Sequence, residues 1–117
     1  MAKNIIQELQ NQIIKFRDER DWAQFHNPKD LAISLSLEAA EFLEHFQWKS
    51  EEEIEKYVKG YKGHIEEELA DVLYWVLLIS HDLDINIVKV LKKKMKKNEE
   101  KYPVEKAKGR HSKYTSL

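Results

Sequence analysis

Apolar residues recur at helical spacing along most of this chain. Ile5, Ile6, Leu9, Ile13 and Phe16 alternate with charged residues, which predicts a first amphipathic helix from Asn4 to Arg20. The pattern breaks over residues 21–28, a short loop that carries the rings of Trp22, Phe25 and His26. Asn27-Pro28 closes that loop, since Asn is a good cap and Pro is favoured at a first helical position. A second helix is therefore expected from about Pro28 or Lys29 to about Phe46. Its inner stripe reads Leu31, Leu35, Glu38 and Phe42, so an acid stands where a hydrophobe is due. Ser50 caps a short acidic helix, Glu51 to about Val58, and Gly60-Tyr61-Lys62-Gly63 reads as flexible punctuation. The fourth helix, from about His64 to about Leu83, is apolar on nearly every side between Leu69 and Ile79, with Asp71 as its one charge. A helix of that kind is buried, either inside a bundle or in a subunit interface. A fifth helix, from about Asn86 to about Lys101, turns Ile87, Val90, Leu91 and Met95 inward and its lysines outward. It stops at Tyr102-Pro103, and the polar tail from about 103 to Leu117 is expected to be irregular.

These elements predict an all-α fold in a single domain over residues 1–117, with helices two and four antiparallel as in a bundle core. Composition agrees: 42% hydrophobic and 35% charged residues with three Gly and two Pro suit a charged helical domain. The absence of cysteine excludes disulfides, zinc-thiolate sites and thiol nucleophiles. Twenty basic against 21 acidic residues leave a formal net charge of −1, so no global field draws the chain to nucleic acid or to an anionic membrane. The N-terminus soon turns polar, and no stretch is long and apolar enough to span a bilayer. A cytoplasmic location is expected.

The candidate chemistry lies in two acidic steps, Glu38-Ala39-Ala40-Glu41 and Glu68-Leu69-Ala70-Asp71. Each puts two carboxylates one turn apart on one helix face, the arrangement that holds hard, oxygen-seeking cations. Runs such as Glu51-Glu52-Glu53 and Glu99-Glu100 read as solvated surface. Glu38 and Asp71 differ because they interrupt apolar stripes, where an ionised carboxylate is costly unless paired or metal-bound. An ion pair with a lysine of the fifth helix is the structural alternative. An all-oxygen donor set without a well-placed histidine favours Mg²⁺, with Mn²⁺ as substitute, over zinc or iron. His45, one turn after Glu41, is a minor candidate ligand, read first as an exposed helix-end residue. Mg²⁺ held by carboxylates accepts phosphate oxygens, which implies phosphoryl or nucleotidyl transfer to water. Glu38 and Glu41 are the catalytic candidates, since a carboxylate not consumed by metal can act as general base.

Trp22, Phe25, His26 and Trp48 flank the second helix, and rings of this kind can stack on a nucleobase. Phe25 and Phe46 are expected in ordinary packing. Lysines 92, 93, 94, 96, 97 and 101 crowd the fifth helix, mostly as a solvated face.

The acidic steps, together with Arg20-Asp21-Trp22, Gln24-Phe25-His26, Phe46-Gln47-Trp48-Lys49, Glu67 to Leu73, Asn98, Tyr102-Pro103 and Lys113-Tyr114, resemble the MazG-type all-α nucleoside triphosphate pyrophosphohydrolases. The resemblance is nearest to the dCTP pyrophosphatase branch and covers nearly the whole chain. It implies a four- to five-helix bundle completed by oligomerisation, as a homodimer or homotetramer. The implied reaction is Mg²⁺-dependent cleavage of dCTP or a modified dCTP between the α and β phosphates, cleansing the nucleotide pool. By the matching positions, Glu38, Glu41, Glu68 and Asp71 would bind metal, and Trp22, His26 and Trp48 would form the base pocket. Lys94 and Asn98 would approach the phosphates, and Tyr102 would help close the site. The chain departs from the branch in a shorter spacer between the acidic steps and in Trp75 near the site. The alternatives are a dUTPase-like or broad-specificity enzyme of the same fold, or a non-catalytic helical interaction module.

Overall fold

A computed structural model describes residues 4–117. The first three residues, with which the expected 1–117 domain and its N-terminal segment begin, lie outside the described residues. The fold is all-α, with no strand among the described residues. The helices are α1 (Ile5–Glu19), α2 (Pro28–Glu44), α3 (Glu51–Gly60), α4 (Lys62–Asp82), α5 (Ile87–Lys101) and α6 (Val104–Ala107). Two 3-10 turns, Ala23–Phe25 and Tyr114–Ser116, accompany them. The chain forms two compact units, one ending at Asp84 and the other spanning Ile85–Leu117.

In the first unit the helix starts are set by side-chain caps. Asn4 accepts from the Gln7 N–H and Asn27 from the Asp30 N–H, while Ser50 and Glu53 form a reciprocal capping box. Pro28 occupies the first turn of α2, where its missing N–H costs nothing. Helix α2 packs along α4 in the opposite direction. His45, at the end of α2, meets Glu68 near the start of α4, whereas His26, just before α2, meets Trp75 further along. Leu31, Leu77 and Leu78 are fully buried where these two helices join.

Helix α1 lies against the second half of α4 through polar anchors. Gln10 Nε2 donates to the Leu77 carbonyl over 2.8 Å, and Arg17 Nη1 donates to Asp82 Oδ2 over 2.7 Å. Those anchors turn Ile6, Gln10, Ile13 and Arg17 inward and leave Ile5, Leu9 and Phe16 exposed. The inner stripe of α1 is thus offset from the purely apolar one, because two of its members are polar residues with partners on α4.

Two further expectations change, and the burial expected of α4 is met in one chain only in part. The break between α3 and α4 is Tyr61 alone, since its ring stacks on Tyr57 (centroids 4.6 Å apart) and its carbonyl accepts the first N–H groups of α4. Helix α4 is buried only in its second half, at Leu77, Leu78 and Ser80, while Leu69 (54% exposed) and Leu73 (46% exposed) face outward. The tail is not wholly irregular: Pro103, at φ −60°, caps the short α6, and its carbonyl accepts from Lys106 and Ala107. Proline cannot continue α5, but its fixed φ suits a helix start.

In the second unit Asn86 caps α5 by accepting from the Lys89 N–H. Tyr102 ends that helix and meets Tyr114 edge to face, with the Lys101 ammonium over the Tyr114 ring. Among the described residues no helix is long and apolar enough to cross a membrane.

Candidate functional site

The antiparallel pairing of α2 and α4 brings the two acidic steps together. Glu38, Glu41 and His45 follow one another at three and four residues along one face of α2. Glu68, Asp71 and Trp75 do the same along α4. Glu38 is half-buried, and its Oε2 is shut away from solvent without a hydrogen-bond partner. Burial raises the pKa of this carboxyl above its ordinary 4.5, and the charges of Glu41 and Asp71, a hydrogen bond between the Glu38 and Glu41 carboxyls when one is protonated, and then the Glu68 charge raise it further. All four predicted metal carboxylates therefore lie within electrostatic reach of one another. Among the described residues of the first unit no Lys or Arg pairs with Glu38.

The four groups do not share one environment. Glu41 and Asp71 are exposed, and Glu68 is half-buried. Asp71 thus interrupts the apolar sequence of α4 on a face that is open in this chain. Among the described residues no three acidic or histidine side chains converge on a single coordination point. The donor set nonetheless fits a hard cation: it is all oxygen, it concentrates negative charge, and one buried oxygen has no protein donor.

Histidine 45 departs from its expected place. Its side chain is only 11% exposed, and Nε2 lies 2.5 Å from Glu68 Oε2. On its other side Nδ1 lies 2.5 Å from the Tyr57 hydroxyl. Tyr57 is itself held between the Tyr61 ring and the Lys49 ammonium, 4.3 Å from its centroid. The spacing of His45 from Glu38 and Glu41 was the signal for this site; its partner on α3 had no counterpart in the pattern.

Two of the three predicted base-pocket rings join a continuous set. Trp22 meets Phe16 edge to face, Phe16 meets Tyr74, Tyr74 meets Trp75, and Trp75 meets His26, with centroids 5.6, 6.5, 5.1 and 5.8 Å apart. Trp75 lies one turn beyond Asp71, so these rings border the acidic face. Burial lowers the pKa of His26, and the Arg17 charge lowers it further, which favours a neutral ring. Its Nδ1 is buried without a partner. Trp48 stands apart: it is 92% exposed and holds φ at +65°, a left-handed conformation unusual for a bulky residue. Phe25 is exposed rather than packed, because the 3-10 turn directs it outward, whereas Phe46 is half-buried against Phe42. Lys94 and Asn98 lie on α5 and Tyr102 at its end, in the second unit; Lys94 is exposed, and the Asn98 carbonyl accepts from the Tyr102 N–H.

Residues 33–117 match the model of the MazG-like family. The chain is 32% identical over 114 residues to dCTP pyrophosphatase 1 of Rattus norvegicus, an alignment covering 96% of this chain and 67% of that protein. It is 31% identical, with the same coverage, to dCTP pyrophosphatase 1 of Homo sapiens. The fold is similar to the crystal structure of a pyrophosphatase from Archaeoglobus fulgidus, with a TM-score of 0.83 and 43% identity, covering 88% of this chain and 96% of that one.

Proposed function

Because the chain belongs to the MazG-like family, we propose that it hydrolyses a nucleoside triphosphate to the monophosphate and pyrophosphate, with dCTP or a modified dCTP as substrate. The observation that carries this reading is the buried, unpartnered Glu38 oxygen among three further carboxylates on two antiparallel helices. In a non-catalytic interaction module Glu38 would be expected to pair with a basic side chain or to face water.

In this reading Glu38, Glu41, Glu68 and Asp71 hold Mg²⁺, for which Mn²⁺ can substitute. When bound there, the cation would supply the positive charge that offsets the polyphosphate and the leaving pyrophosphate. A water oxygen bonds to the α-phosphorus, and the bond from that phosphorus to the α–β bridging oxygen breaks. Pyrophosphate departs with the bridging oxygen. Glu38 and Glu41 are assigned to receive the proton of the water; for Glu38 the raised pKa makes the carboxylate a stronger acceptor once ionised.

Trp22, His26 and Trp48 are assigned to the base. The ring series that borders Asp71 supports this for the first two, and the full exposure of Trp48 supports it for the third. Lys94 and Asn98 keep the phosphate-binding role, and Tyr102 the closing role, that the family pattern implies. Residues 1–117 act as one domain in a homodimer or homotetramer. The outward-facing Leu69 and Leu73 of α4 and Ile33 and Leu37 of α2 support such assembly, since these apolar faces are uncovered in one chain. The proposed location is the cytoplasm, where free nucleotides are found.

Phosphorus NMR of dCTP incubated with the protein and Mg²⁺ tests the bond that is cleaved. The expected products are dCMP and pyrophosphate; dCDP and inorganic phosphate would refute the proposed cleavage.

A further inference from the structure

Helix α3 contributes no carboxylate to the proposed metal set, yet one of its side chains reaches that set through a single intermediary. Tyr57 Oη and Glu68 Oε2 each lie 2.5 Å from opposite nitrogens of His45. A neutral imidazole offers one donor and one acceptor. With Nδ1 accepting from the Tyr57 hydroxyl, the protonated Nε2 is the nitrogen that faces Glu68; that second contact is a close approach of the two atoms rather than an aligned hydrogen bond, since neither atom has a hydrogen-bond partner. The first two members of the series are held. Tyr57 is stacked on Tyr61 under the Lys49 ammonium, and His45 is the C-terminal cap residue of α2.

We infer that His45, oriented by Tyr57, is a positioning residue for Glu68. It holds Oε2 in place and leaves Oε1 as the oxygen that Glu68 presents to a cation. A side chain that orients a metal-binding carboxylate in this way typically changes metal affinity or activity by about 10- to 100-fold when removed. Glu68 would otherwise spend rotamer freedom on binding, because it is half-buried and, among the described residues, the His45 ring is the one basic side chain in contact with it. His45 touches neither the proposed substrate nor the cation, and acts only through the carboxylate. The inference rests on Glu68 being a metal ligand, as in the proposed function.

The test is Mn²⁺ binding by the full chain, read from the electron paramagnetic resonance signal of free Mn²⁺ with a non-hydrolysable dCTP analogue present. The His45→Ala variant should bind Mn²⁺ about 10-fold more weakly or worse. His45→Gln, which can again place an N–H near Glu68 Oε2, should recover most of the loss. Tyr57→Phe keeps the ring stack and removes only the hydroxyl, so it should weaken binding by a smaller factor without unfolding α3. A purely structural role would lower the melting temperature of these variants without changing Mn²⁺ affinity in the folded protein. Wild-type affinity in His45→Ala, together with weakened binding in Glu68→Gln, would overturn the inference and leave the metal site standing. Wild-type affinity in Glu68→Gln would overturn both.

Discussion

Arg17 Nη1 donates to Asp82 Oδ2 over 2.7 Å, with the Arg17 side chain only 7% exposed, and this contact fastens α1 to the far end of α4. His81 Nδ1 lies 3.0 Å from the other oxygen of the same carboxylate. Burial alone would raise the pKa of Asp82, but the hydrogen bonds and charges of Arg17 and His81 outweigh it and hold the group below its ordinary 3.8. Without Asp82 the buried guanidinium would keep only the exposed Asp18 carboxylate, 3.3 Å from its Nε, so Asp82→Ala should lose about 3 kcal/mol in urea unfolding.

The same pair sets the acid limb of stability. A folded-state pKa below the unfolded value means that the unfolded chain binds the proton more readily as pH falls. The contribution is fully present above 3.8 and is lost as pH drops through the lower folded value. In Asp82→Asn the acid limb of the stability curve should be shallower; a limb as steep as in the wild type would show that other groups carry it.

At Glu38 the sign is reversed. Its folded pKa is raised above 4.5, mainly by burial and then by the charges of Glu41 and Asp71. In chelator the metal-free protein should therefore lose stability as pH rises from 4.5 through the folded value. Mg²⁺ should suppress that loss by stabilising the ionised carboxylate, and Glu38→Gln should abolish both effects. Thermal melts at several pH values, with chelator or Mg²⁺, provide the measurement.

Trp48 separates function from stability. Its ring is 92% exposed, and its backbone sits at φ +65°. Trp48→Asn should relieve a strain of about 1 kcal/mol, since Asn tolerates the left-handed region. Base stacking is worth about 1 to 3 kcal/mol, so the same change should raise KM for the nucleotide about 5-fold or more. A stable variant with unchanged KM would remove Trp48 from the base pocket.

The sequence made the helix ends legible wherever a local side chain sets them. Asn27, Pro28, Ser50 and Asn86 act within three residues of their own positions, so spacing and residue type sufficed. Glu38 was legible because it breaks an apolar stripe whose other members, Leu31, Leu35 and Phe42, are indeed buried or half-buried. The inner face of α1 was not, because Gln10 and Arg17 turn inward only for partners more than sixty positions away, at Leu77 and Asp82. His45 was misjudged for the same reason. A histidine at a helix end is ordinarily exposed, and only the approach of Tyr57 and Glu68 from two other helices buries it. The apolar run of α4 pointed to burial along its whole length, but one chain covers only its second half.

The most direct test of the nucleotide-cleaving centre is pyrophosphate release from each common nucleoside and deoxynucleoside triphosphate with Mg²⁺, wild type beside Glu38→Gln. Wild type should release pyrophosphate, fastest from dCTP, and Glu38→Gln should be slower by about 100-fold or more. If no triphosphate yields pyrophosphate above the Glu38→Gln control, the carboxylates of α2 and α4 are not a catalytic centre.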